Sequence, residues 1–146
     1  MAVTLNPYLG FRDRAREALS FYASVLGGTP RLTTFAEGGI PHDPAQADSI
    51  MHGELAIPGG LTLMASDAPT DMDVPTGSSV TICLSGGPED AETLRGWYAG
   101  LSSDGTNVLP LATAPWGDEF GMFTDRFGTS WMVSIGTHGP GVDPQG

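Results

Sequence analysis

The sequence predicts an α+β fold in one domain spanning 1–146. Two βαβββ units, at about 4–67 and 78–136, form mixed sheets that enclose a cleft, with a C-terminal tail over 137–146. Three observations carry this. The stretch from Trp116 to Ser134 reads as strand, tight turn, strand. Phe120, Met122 and Thr124 alternate with smaller or polar residues, Asp125-Arg126-Phe127-Gly128 is turn chemistry, and Thr129, Trp131, Val133 and Ile135 recur with a period of two. An earlier stretch, Thr62-Leu63-Met64-Ala65-Ser66, echoes Ser130-Trp131-Met132-Val133-Ser134. The helices ahead of the echoes also correspond: Glu17-Ala18-Leu19-Ser20-Phe21-Tyr22 resembles Glu92-Thr93-Leu94 followed by Trp97-Tyr98.

Taken in order, Leu5 to Phe11 is the first strand, with Asn6, Tyr8 and Gly10 on one face and Pro7 near its end. Asp13 is expected to cap a helix from Arg14 to Leu26, whose apolar residues Ala15, Ala18, Leu19, Tyr22, Val25 and Leu26 fall at helical spacing. Gly27-Gly28 ends it. Arg31 to Phe35 is a strand, and Glu37 to Asp48, with His42, a long loop. Ile50 to Ile57 and Leu61 to Ser66 form a hairpin around Pro58-Gly59-Gly60, and Asp67 to Gly77 links the copies. The second copy repeats the order. A strand carries Val80, Ile82 and Leu84, and a helix from Pro88 to Leu101 has Glu89, Asp90 and Glu92 in its first turn. Asp104-Gly105 is a turn, Thr106 to Thr113 is a strand interrupted by Pro110, and the closing strand pair follows. The tail with His138 is Gly/Pro-rich.

Composition narrows the function classes. Six Arg and no Lys against 17 acids give a net charge of -11, which disfavours nucleic acid and suits either solubility or capture of cations. No stretch approaches the roughly 20 apolar residues of a membrane span. Met1 to Leu5 lacks the basic start and apolar run of a secretion signal, so a cytoplasmic protein is expected. Cys83 stands alone, which excludes an intrachain disulfide and a cysteine zinc cluster, and a small buried side chain is expected there.

Several segments carry a family resemblance: Tyr8-Leu9-Gly10-Phe11, the Glu17 to Tyr22 segment, Leu26-Gly27-Gly28, Met51-His52-Gly53-Glu54-Leu55, Leu63-Met64-Ala65-Ser66-Asp67, and Trp116-Gly117 through Trp131-Met132. In this order they resemble the vicinal-oxygen-chelate superfamily (glyoxalase, bleomycin-resistance and extradiol dioxygenase proteins). They are most similar to its PhnB-like, 3-demethylubiquinone 3-methyltransferase-like branch. The resemblance implies a glyoxalase/bleomycin-resistance type of fold and a homodimer. In metal-using members it also implies paired His, Gln or Glu ligands on the first and last strand of each unit. Carried over, those positions are Asn6, Met64, about Ser79, and Met132. None is a good ligand for a hard or borderline divalent ion, so no metal and no cofactor are expected, with a divalent metal at another site left open.

His52 and Glu54, at i and i+2 on a strand, share a face and are the candidate catalytic residues, as base and orienter or as two ligands of a different site; a structural His–Glu bridge is the plainer explanation. A ligand-binding cleft is expected from Asn6, Tyr8, His52, Glu54, Met64, Ser79, Trp116 and Met132. Tyr8 would donate a hydrogen bond, Trp116 would cap the cleft or pack in the core, and Met64 and Met132 would give a soft lining. His42 and His138 are expected to face solvent. No glycine-rich strand-to-helix turn with a following acid marks an S-adenosylmethionine site. The resulting expectation is a protein that binds a small molecule without the usual divalent metal centre. The alternative is an enzyme of lyase, isomerase or dioxygenase type acting on a small metabolite through His52 and Glu54 or an unidentified metal site.

Overall fold

The computed structural model describes residues 3–74 and 79–137. The chain divides into two compact units, Met1–Ser78 and Ser79–Gly146. The Gly77-Ser78 junction and the tail with His138 lie outside the described residues.

In the first unit the elements are β1 (Tyr8–Phe11), α1 (Ala15–Leu26), β2 (Pro30–Thr34), α2 (Phe35–Gly38), β3 (Ile50–Ile57) and β4 (Leu61–Asp67). The sheet order is β1-β4-β3-β2, with β1 parallel to β4 and the other pairs antiparallel. The second unit has β5 (Ile82–Gly86), α3 (Ala91–Ser102), β6 (Thr106–Thr113), β7 (Glu119–Thr124) and β8 (Ser130–Ile135). Its order, β5-β8-β7-β6, is the same, with β5 parallel to β8. Each unit is therefore βαβββ, with α2 and a 3-10 turn added in the first and a 3-10 turn over Pro88–Asp90 in the second. Among the described residues, no helix is long and apolar enough to cross a membrane.

Helix α1 buries Ala15, Ala18, Leu19, Tyr22 and Leu26. Beneath them the sheet offers Phe11, Leu55, Ile57, Leu63 and Ala65, all buried. Full burial of one such leucine contributes about 1.5–3 kcal/mol. The close approach needs Gly53: a Cβ there would lie 2.5 Å from Leu19 Cδ1. Gly121 holds the matching place in the second unit, 2.8 Å from Tyr98 Cε2. There Leu94 packs on Val133 and Ile135, flanked by Leu84, Trp97, Tyr98 and Leu111.

Several boundaries differ from the sequence expectation. The first strand starts at Tyr8 rather than Leu5, and Leu5 is fully exposed. Asp13 does not cap α1. It takes a left-handed φ of 58°, and Arg14 is the N-cap residue. The capping carboxylate comes from the end of β4: Asp67 Oδ1 accepts from the backbone N–H of Arg14 and Ala15, and Oδ2 from that of Ile50. A buried acid that takes three donors in this way ties β3, β4 and α1 together. Asp67 is thus the last residue of a strand, where a linker was expected to begin.

The expected 37–48 loop is ordered by local bonds. Thr34 and Glu37 form a capping box that starts α2, and Pro44–Gln46 is a 3-10 turn. Buried Gln46 donates to Asp13 Oδ1 and the Ala68 carbonyl and accepts from Thr70 N–H. Arg12 donates to the carbonyls of Pro69 and Met72, fastening the segment that leaves β4. His42 is half-buried rather than solvated. It stacks on Phe35 at 6.2 Å and bonds the Ile40 carbonyl at 2.8 Å.

Candidate functional site

Strand pairing decides which side chains share a face. In the first sheet, Gly53, Leu55, Leu63 and Ala65 face α1, so the opposite parity carries the distal face. One register row on that face runs across all four strands: Tyr8 beside Met64, Met64 beside Glu54, and Glu54 beside Arg31. His52 lies two residues from Glu54 and opposite Thr33. Tyr8 and His52 meet diagonally: the phenol oxygen is 2.8 Å from His52 Nδ1, and the rings are 5.6 Å apart with a 36° tilt. His52, Glu54 and Met64 are half-buried, and Tyr8 is 52% exposed. The structure thus brings together four of the eight expected site residues, with Arg31 an unanticipated neighbour.

The Tyr8–His52 bond has two forms. With the phenol donating to Nδ1, His52 presents Nε2–H as a donor. With Nδ1–H donating to the phenol oxygen, Nε2 is left with a lone pair and can act as a base.

The distal face of the second sheet is different. Its matching row is Cys83 beside Met132, Met132 beside Met122, and Met122 beside Leu109. The row next to it pairs Ser85 with Ser134, Ser134 with Phe120, and Phe120 with Ala112. Trp116, in the turn before β7, is 56% exposed and sits edge-on to Phe120 at 5.6 Å. It does not pack in the core. Cys83 is exposed, contrary to the expectation of a small buried side chain. Solvent reaches it, yet the surrounding sheet still desolvates the thiol enough to raise its pKa.

A model of the family described as 3-demethylubiquinone-9 3-methyltransferase matches residues 4–134. The chain belongs to that family. It is similar to protein YjdN of Escherichia coli, at 26% identity over 90% of this chain and 94% of that protein. Among solved structures it resembles protein PA1353 from Pseudomonas aeruginosa, with a TM-score of 0.78, 33% identity, and 94% of this chain and 100% of that chain covered. It also shares the fold of a putative 3-demethylubiquinone-9 3-methyltransferase, PhnB protein, from Bacillus cereus, with a TM-score of 0.70, 20% identity, and coverage of 91% and 99%.

Pairing in this family member also corrects the positions carried over for a metal. Asn6 precedes β1 and bonds Thr4. Ser79 precedes β5 and is exposed. The first-strand residues actually beside Met64 and Met132 are Tyr8 and Cys83. The shift arises because both first strands begin later than alternation alone implied. A phenol, two thioethers and one thiol do not fit a hard or borderline divalent ion: only Cys83 is a usual zinc ligand. No group of three or more His, Cys, Asp or Glu side chains gathers among the described residues.

Proposed function

We propose that this family member binds a planar, positively charged small molecule on the distal face of its first sheet, without the divalent metal centre or any other cofactor. The observation that carries the reading is the Tyr8–His52 pair beside Glu54 on a sheet face that its own helix leaves free. The two rings offer a tilted aromatic corner for stacking and cation–π contact. Glu54 and the net charge of -11 favour a cation, and Arg31, at the far end of the row, confines that preference to the β1–β4 side.

Methyl transfer, which the family's description speaks of, is not part of this reading. The backbone N–H groups of Arg14 and Ala15 at the start of α1 are taken by Asp67 and are not free to receive a cofactor's anionic group. The same reading takes the chain as a cytoplasmic homodimer. Half-exposed Val108 and Leu109 on edge strand β6 support pairing, and one exposed thiol suits a reducing compartment.

The test is a thermal-melt screen of chelator-treated protein against planar cations and neutral planar analogues. A ligand at about 100 times its Kd adds roughly 2.7 kcal/mol, a shift of several degrees for a chain this size. Binding on this face requires the shift to disappear in Tyr8→Ala and His52→Ala. A shift that both variants keep places the ligand elsewhere. The hydrogen-bonded His52 also favours a second reading, an enzyme of lyase, isomerase or dioxygenase type acting on a small metabolite. Turnover by the wild type that is lost in His52→Ala, with binding retained, would select it.

A further inference from the structure

Sulfur is concentrated in one place on the second sheet. Cys83, Met132 and Met122 occupy consecutive strands β5, β8 and β7 in a single register row, so all three side chains leave the same face. Adjacent strands lie about 4.8 Å apart, so the row spans roughly 10 Å, a gap that the flexible thioether side chains of Met132 and Met122 can close toward the shorter Cys83. The neighbouring side chains on that face are neutral: Phe120, Ser134, Ser85 and Leu109. No charged side chain stands in either of these two register rows. A hydrated hard cation gains nothing from such a surface, whereas a soft cation gains three sulfur ligands.

We propose that Cys83 Sγ, Met132 Sδ and Met122 Sδ form a binding site for a soft monovalent cation, with Cu(I) the best chemical match. On binding, the thiol gives its proton to solvent and the thiolate bonds the metal while both thioethers donate neutral lone pairs. No electron is transferred. Binding strengthens as pH rises, because the displaced thiol proton is then easier to lose.

The experiment is an anaerobic competition of the full chain against the coloured Cu(I)–bicinchoninate complex. The wild type is expected to withdraw one Cu(I) per chain, with a first shell of sulfur alone by X-ray absorption. Cys83→Ser should lose the site. Met132→Leu and Met122→Leu, which conserve volume and should keep the far-UV circular dichroism of the wild type, should each weaken it by about tenfold or more. Met64→Leu, in the thiol-free first sheet, should leave it unchanged. Failure of the wild type to compete, wild-type affinity in both Met132→Leu and Met122→Leu, or nitrogen and oxygen in the first shell would overturn the proposal.

Discussion

Where the first sheet sets Tyr8, Met64, Glu54 and Arg31 in a row, the second sets Cys83, Met132, Met122 and Leu109. His52 likewise corresponds to Phe120, and Asp67 to Ile135. Strand order, parallel pairing and the glycine under the helix are common to both units, so backbone architecture is indifferent to what the distal face displays. The helix-facing parity is largely apolar in each unit, the charged exceptions being Asp67 in the first and Glu119, which pairs with Arg95 of α3, in the second. The distal parity is free of that packing demand and has become polar and hydrogen-bonded in one unit, soft and apolar in the other. Duplicated topology thus supplies two surfaces with separate chemistry.

The comparison breaks most sharply at Asp67. Copying the second unit by Asp67→Ile strips the acceptor from three backbone N–H groups, two of them buried. A loss of about 3 kcal/mol or more is expected in urea unfolding. In the second unit the buried acid is Asp125, at the β7–β8 turn, where it accepts from Phe127 N–H, Thr129 N–H and Trp131 Nε1–H. Asp125→Ala should therefore cost a similar amount, and a much smaller loss would show that the turn holds without it.

The paired glycines should respond unequally. A Cβ at Gly53 meets chiefly the movable ends of Leu19 and Leu32, whereas one at Gly121 also meets the Leu109 carbonyl and Leu111 Cα at 3.1 Å. Gly121→Ala is expected to lose about 1–3 kcal/mol and Gly53→Ala less. The reverse order in denaturant midpoints would mean that the two helices do not seat alike.

Smaller still is the stability effect of His52→Phe, which gives the first sheet the residue of the second. Half-buried on a distal face, it should move stability by less than about 1 kcal/mol, and it should reduce rather than abolish any ligand shift seen in the thermal screen, because a ring stays while the hydrogen bond to Tyr8 is lost. The smallest effect is at Asp13. Hydrogen bonds from Gln46 and then Ser49 hold its carboxyl below the ordinary value. Because the folded-state pKa is depressed, the contribution is present above the unfolded-state pKa near 3.8–3.9 and fades as pH falls through the folded value. Asp13→Asn, which tolerates the left-handed backbone, should cost less than about 1 kcal/mol at neutral pH, and the difference should vanish in acid. A difference that persists at low pH would assign the effect to packing.

Much of this was legible in order and kind. The ends of β3 and β6 match the alternation read from Ile50 to Ile57 and Thr106 to Thr113, and His52 and Glu54 do share a face. Other features were hidden because their partners are distant in sequence. Tyr8 meets His52 across 44 residues, and Asp67 caps a helix 52 residues earlier, displacing the nearer Asp13. Gln46 looked like a loop residue because its three partners lie 22 to 33 positions away.

By itself the sequence determined the two βαβββ units, since periods of two and 3.6 record which residues must leave water and survive in any register. Only the tertiary structure decided which strand position stands beside which. A shift of two residues along β1, or of four along β5, keeps the buried parity, but the first exchanges Asn6 for Tyr8 and the second Ser79 for Cys83. Hydrophobic patterning cannot distinguish those registers. The ladder hydrogen bonds and the carboxylate of Asp67 can, and through them the chain acquires its phenol–imidazole pair on one sheet and its sulfur row on the other.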